Sequence, residues 1–145
     1  MTLRKLTLTL LSLSLSLGMM HCASSRTTRS NEEIFFPQLA LSNKERAFPD
    51  ALIEGPLHLS RGCLRVGANG EGALVIWPPH VRLDRTGDSI RVLDERSRVE
   101  AQVGQAVKLG GGEIESTAPI LRDLREPLLA RCPGPYWLAS GLISF

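Results

Sequence analysis

The sequence predicts an all-β fold: a small antiparallel domain, built as an OB-like open barrel or sandwich of five to six strands with one short helix at most. Three observations lead to this prediction. The apolar runs are short, several of them alternate apolar with polar residues, and Gly- or Pro-rich turns separate them. Short strands punctuated by such turns are typical of small barrels and sandwiches. A chain of 145 residues favours a single domain.

We place the domain at residues 51–145. Its first strands have the clearest sequence pattern. Residues 51–59 and Cys63–Val66 flank a Ser-Arg-Gly turn and are predicted to form a hairpin. Residues 73–77 are an unbroken apolar run, which indicates a strand buried on both faces, and two prolines end it.

The remaining elements are predicted from the alternation of apolar with polar residues and from the glycines and prolines that end strands. Strands are predicted at 89–93, 98–103 and Tyr136–Ile143, with possible edge pairing after the two prolines. Residues 106–109 continue the alternation, and the glycine run at 110–112 is predicted to break that strand. Residues 120–130 have leucines near helical spacing, interrupted by a proline, and supply the one short helix.

The first 22 residues have the layout of an export signal. Arg4 and Lys5 give a positive start, an apolar run follows, and Cys22 ends it. At ~15 residues the apolar run is shorter than the ~20 that are needed to span a bilayer. Residues 1–22 are therefore predicted to be a signal sequence, and 23–50 a polar tether followed by an irregular segment.

The end of this signal resembles the lipobox of bacterial lipoproteins, in which the cysteine becomes the lipidated N-terminus. Cys22 stands after the apolar run and before Ala23, Ser24 and Ser25, although His21 occupies a position that the motif usually gives to a small residue. The resemblance implies lipidation at Cys22 and a membrane anchor; ordinary cleavage after Ala23 is the alternative. The expected location is the cell envelope outside the cytoplasm, on the periplasmic side if the cell is Gram-negative, or secretion.

Cys63 and Cys132 are the two cysteines that remain beyond the signal. In an oxidising compartment they can form one disulfide that encloses most of the domain. A reactive thiol or a metal ligand is the alternative, but no Cys-x-x-Cys or Cys–His spacing suggests zinc. His58 and His80 would need a third ligand for a metal site, and nothing in the spacing requires one. We predict a disulfide, no metal and no cofactor.

The charge balance argues against nucleic acid as a partner. The chain has 17 basic and 15 acidic residues, and Arg4 and Lys5 are two of the basic ones, so the rest of the chain is balanced at 15 against 15. Nucleic-acid binding needs a clustered basic surface.

Motifs for catalysis are missing as well. No serine stands in a Gly-x-Ser-x-Gly setting, and the glycine run precedes Glu113 rather than the Lys-Ser/Thr of a phosphate loop. The pair Glu113 and Glu115 is typical of a solvated strand face. We expect no enzymatic activity.

The candidate binding surface consists of Trp77, Pro78, Pro79, Tyr136 and Trp137. Aromatic residues beside prolines can form a rigid, half-exposed platform for a peptide, a glycan or a partner protein. The alternative is that both tryptophans belong to the core, since only 5% of the chain is aromatic.

Several short motifs resemble those of a family of small exported bacterial β-domains, most of whose members are uncharacterised. The motifs are Gly62–Cys63–Leu64, Ile76–Trp77–Pro78–Pro79, Val103–Gly104 with Gly110–Gly111–Gly112–Glu113, and Cys132 with Tyr136–Trp137–Leu138. The resemblance covers about 52–138 and implies the fold and the cysteine pair, but no activity. We expect a cell-envelope lipoprotein that acts as a non-enzymatic binding or structural module for another envelope component, an envelope protein or a glycan. The alternative is an exported protein that binds a small ligand or a metal.

Overall fold

The computed structural model describes residues 33–42, 46–68 and 72–145. The predicted signal at 1–22, the lipidation residue Cys22 and the first part of the predicted tether lie outside the described residues. The strands are β1 (Ala51–Ser60), β2 (Cys63–Val66), β3 (Ala73–Ile76), β4 (Val81–Thr86), β5 (Ser89–Asp94), β6 (Glu100–Gln102), β7 (Ala106–Ile114) and β8 (Tyr136–Ile143). A short 3-10 helix spans Pro119–Asp123.

Five strands form a ring-like sheet in the order β1-β2-β3-β8-β7, and β7 pairs again with β1. All of its pairs are antiparallel except β3 with β8, which run parallel. This order, with its one parallel pair, is that of the five-stranded OB fold. The predicted all-β, OB-like class is confirmed; the ring has five of the five to six strands predicted, one of its pairs is parallel, and the described residues contain three further strands. Among the described residues, the pairing of β2 with β3 is the shortest in the ring, and it pairs Arg65 with Leu74 and Val66 with Ala73.

The other three strands form a separate antiparallel sheet in the order β4-β5-β6, inserted in the chain between β3 and β7. The predicted strands at 89–93 and 98–103 became β5 and β6, and β4 extends the edge after the two prolines. The sequence predicted these strands but not that they leave the ring. Alternation shows which face of a strand is buried, and it does not show which neighbour the strand pairs with.

The glycine run at 110–112 does not break its strand, which corrects the prediction. β7 passes through all three glycines, with a bulge between Gly110 and Gly111. A Cβ at Gly111, where φ is +136°, would overlap the carbonyl oxygen of Leu138 on β8, and a Cβ at Gly112 would overlap the ring of Pro49. The glycines therefore allow close backbone approach inside the sheet.

The described residues before β1, 33–42 and 46–50, are irregular, as predicted, but they belong to the compact unit, so the domain begins before residue 51. Phe35 and Leu39 are buried, and they pack on the outer side of β2, β3 and β8. The backbone N–H of Phe35 donates to the carbonyl of Gly62, and that of Leu39 donates to the carbonyl of Trp77. Because this segment covers the outer side of the ring, β2 and β3 are buried on both faces.

The predicted disulfide is present between Cys63 and Cys132, with their Cα atoms 5.8 Å apart. Cys63 begins β2, and Cys132 lies in the segment that leads into β8. Both residues are fully buried in a small cluster with Phe35 and Leu74. The bond therefore joins the two segments that form one end of the ring.

Candidate functional site

The structure places both tryptophans in the core instead of on a surface platform. Trp77 is 0% exposed and Trp137 is 8% exposed. The ring of Phe36 stacks on Trp77 at a centroid distance of 5.3 Å, and the indole N–H of Trp137 donates to the carbonyl of Gly110 at 3.4 Å. This corrects the predicted half-exposed platform. In a chain with few aromatics the interior takes the largest apolar side chains, because their burial is the most favourable.

The other three residues of the predicted surface divide between two clefts. Pro78 is buried and Pro79 is half-buried, and both line the larger cleft. Tyr136 is half-buried and packs against Gly134, which lines the smaller cleft. The predicted residues therefore do not form one continuous surface.

The larger cleft, which we call the proline cleft, has a volume of about 910 Å³. It lies between the irregular N-terminal segment, the turn after β3 and the turn after β5. Its lining combines apolar with charged side chains: Leu41, Ser42, Arg46, Phe48, Pro78, Pro79, His80, Glu95, Arg96 and Ser140. Leu41 is 82% exposed at this site.

Gln38 fixes the position of the two prolines. This residue is buried, and its side-chain Nε2 lies 3.1 Å from the carbonyl oxygen of Pro78 and 3.3 Å from that of Pro79. It also donates to the carbonyl of Val81 at the start of β4. In the sequence, Gln38 is the polar residue inside the otherwise apolar stretch 34–41, and it was not among the predicted site residues.

Asp94 and His80 form the inner wall behind the proline cleft. Asp94 ends β5 and is buried, and its Oδ1 lies 3.7 Å from Nε2 of His80. Burial on its own would raise the pKa of Asp94, but backbone N–H groups of Leu142, Ser97 and Arg96 donate to the carboxylate and hold that pKa below its ordinary value.

The same surroundings keep Asp94 charged but favour the neutral form of His80. Burial lowers the pKa of His80 below its ordinary value and outweighs the attraction of the Asp94 carboxylate. The imidazole is therefore neutral at neutral pH, and the inner wall carries the single negative charge of Asp94. The Asp94 carboxylate accepts the backbone N–H of Leu142 on β8. It therefore links the three-stranded sheet to the ring.

The smaller cleft, which we call the arginine cleft, has a volume of about 470 Å³. It opens at the end of the ring where the β1–β2 turn faces the segment before β8. Its lining residues are Ser60, Arg61, Arg65, Arg131, Pro133, Gly134 and Pro135. The balanced charge of the whole chain conceals this local cluster, which was not among the predicted site residues. The available signal was the position of the arginines, two residues to each side of Cys63 and one residue before Cys132.

The described part of the chain shows neither a metal cluster nor a membrane-spanning helix. No group of three or more His, Cys, Asp or Glu side chains is placed there to hold a metal ion. Among the same residues, no helix has the length and apolar character to cross a membrane. Comparisons of the chain with protein-family models, with curated proteins and with solved structures find no match.

Proposed function

We propose that this chain is a non-enzymatic cell-envelope lipoprotein, and that its domain binds another protein of the envelope through the proline cleft. The observation that carries the proposal is the exposed leucine, Leu41, at an open cleft that the turn Pro78–Pro79 holds rigid. Interfaces commonly combine such an apolar centre with a polar rim, and here Arg46, Arg96 and Glu95 supply the charged groups.

A protein partner fits the cleft better than a glycan does. Sugar rings pack on exposed aromatic faces, and both tryptophans of the chain are buried. The aromatic ring of the cleft lining, Phe48, is half-buried, and the cleft also offers an exposed leucine, prolines and charges of both signs, a lining that suits a polypeptide segment. The alternative, a small-ligand or metal-binding protein, has less support at this cleft, because His80, which lines it, already lies 3.7 Å from the buried carboxylate of Asp94.

Anchoring is tested at Cys22. Because the lipid would be attached to the thiol of this residue, Cys22→Ser should move the protein from the membrane fraction to the soluble fraction of the envelope. Cell fractionation and immunoblotting measure the distribution, with Ser30→Ala in the same polar tether as a control that leaves all three cysteines in place. Membrane association that is unchanged in Cys22→Ser would reject lipidation at this residue.

The binding surface is tested by a charge placed at the cleft. Leu41→Asp should reduce capture of the envelope partner by about 10-fold, which corresponds to about 1.4 kcal/mol, because it puts a carboxylate into an apolar contact. The matched control is Leu52→Asp, since Leu52 is also an exposed leucine (55%) but lies on β1, away from the cleft lining. The measurement is affinity capture of the tagged full chain from detergent-solubilised envelopes, quantified for the wild type and both variants. Equal recovery from all three proteins, or no specific partner of the wild type, would contradict the proposal.

A further inference from the structure

Among the described residues, the lining of the arginine cleft brings three arginines together with no acidic side chain. Arg61, Arg65 and Arg131 all line it, and among the described residues of its lining there is no Asp or Glu. None of the ion pairs formed between described residues includes these three arginines. Elsewhere in the domain arginines do pair, as Arg91 does with Asp84 and Glu100. The cleft therefore departs from the balanced charge of the chain.

Arg65 is the buried member of this cluster. It is 7% exposed, and its guanidinium donates to the carbonyl oxygens of Gly72 at 2.9 Å and Pro133 at 2.5 Å. These neutral acceptors take one N–H from each terminal nitrogen of the guanidinium and leave its charge in place. Burial is the main cause that lowers the pKa of Arg65; Tyr136 opposes it, and the neighbouring charge of Arg61 adds a smaller decrease. Buried charges are normally paired with an opposite charge, and this one faces an open cleft.

The walls of the cleft are held in fixed positions. The disulfide from Cys63 to Cys132 joins the strand that carries Arg65 to the segment that carries Arg131. Arg131 also donates to the backbone carbonyl of Glu33 at 3.2 Å. The arginines from segments far apart in sequence are thus pre-arranged, which lowers the entropic cost of binding.

Arg61 occupies a position where its residue type is unfavourable. It lies with Gly62 in the two-residue turn between β1 and β2, and both have positive φ, +52° and +74°. Such hairpin turns favour Asn-Gly or Asp-Gly, and an arginine there is strained. The strained residue places a third guanidinium beside the buried Arg65.

We infer that the arginine cleft binds a phosphate group, presented by a small phosphate ester or by a phosphomonoester lipid headgroup. A phosphate monoester carries close to two negative charges and three acceptor oxygens at neutral pH, and guanidinium groups match its geometry through paired N–H donors. A single carboxylate would neutralise less of the charge of three arginines. The volume of about 470 Å³ accommodates a phosphorylated sugar or headgroup. This site is separate from the proline cleft, so the inference does not depend on the proposed protein partner.

The test is isothermal titration of the full chain carrying Cys22→Ser, purified with its disulfide oxidised. The titrants are inorganic phosphate and glucose 6-phosphate, with glucuronate as a carboxylate of similar size, and phosphatidylcholine vesicles with or without phosphatidic acid. Arg61→Asn and Arg131→Gln should each weaken phosphate binding by about 10-fold or more, because each removes charge-assisted hydrogen bonds. Arg85→Gln is the matched control, since Arg85 is exposed on β4 outside the cleft lining.

Arg61→Asn also separates binding from folding. The change relieves the strained turn, so it should raise the melting temperature by about 2–5 °C while it weakens the phosphate affinity. Binding of the soluble phosphates with this pattern of variants supports the inference and points to a phosphate ester; binding of phosphatidic acid vesicles alone with the same pattern supports a lipid headgroup. The inference is overturned by no binding to either source, by glucuronate binding as tightly as glucose 6-phosphate, or by unchanged affinity in both cleft variants.

Discussion

Replacing Cys63 and Cys132 together with alanine is expected to lower the free energy of unfolding by about 4 kcal/mol. The disulfide links residues 69 positions apart, so its loss frees a long loop in the unfolded chain, and the chain-entropy relation gives this magnitude. Small domains have a total stability of about 5–15 kcal/mol, so the variant should be close to unfolding at 37 °C.

Urea unfolding, followed by the fluorescence of the two buried tryptophans, measures this loss. Reduction of the wild-type protein should produce the same decrease, and the double variant should be insensitive to the reductant. A double variant within about 1 kcal/mol of the wild type would show that the bond contributes little to the fold, contrary to the chain-entropy relation.

The change Asp94→Asn is expected to cost about 3 kcal/mol at pH 7. The carboxylate accepts backbone N–H groups of Leu142, Ser97 and Arg96, and hydrogen bonds to a buried charge are each worth about 1.5–3 kcal/mol. An amide has one acceptor oxygen and must turn its NH₂ group toward one of those donors. Asp50→Asn, at an exposed carboxylate, is the matched control and should change little.

The same variant should change how stability depends on pH. The folded pKa of Asp94 is depressed, so its contribution is present above its ordinary value of 3.8 and is lost as the pH falls through the folded pKa. The folded pKa of His80 is also depressed, so protonation favours the unfolded chain once the pH falls below 6.5.

Urea titrations at a series of pH values test both effects. The wild type should lose stability from about pH 6.5 downward and again below about pH 4, and Asp94→Asn should lack the second decrease. A variant that follows the wild-type curve at all pH values would show that Asp94 does not act as the charged link between the sheets.

Local pattern was enough to predict the strands, because alternation and turn residues act within a few positions of the chain. It was not enough for the pairing of β3 with β8, since the partners Val75 and Trp137 are brought together only by the folded ring. The prediction that the glycine run at 110–112 breaks its strand was wrong for a related reason. Glycine marks a break when nothing lies near it, but Gly111 faces the backbone of β8, which the sequence does not reveal.

The candidate sites were harder to predict than the fold. Trp77 beside Pro78 has the same local sequence whether the ring is buried or exposed, and the stacking partner Phe36 lies in a segment that was expected to be irregular. Arg65 alternates with Leu64 and Val66, a pattern that places the arginine on an outward face, whereas the structure buries both faces of β2. The summed charge of the chain also concealed the arginine cleft.

Site-specific photo-crosslinking in intact cells tests the proposed function most directly. A photoreactive amino acid is introduced in place of Leu41 at the proline cleft and, in a second strain, in place of Leu52 on β1. We expect a single discrete adduct with an envelope protein from the Leu41 position and none from the Leu52 position. The absence of an adduct at Leu41, or the same adducts at both positions, would contradict the assignment of the proline cleft as the binding surface of this protein.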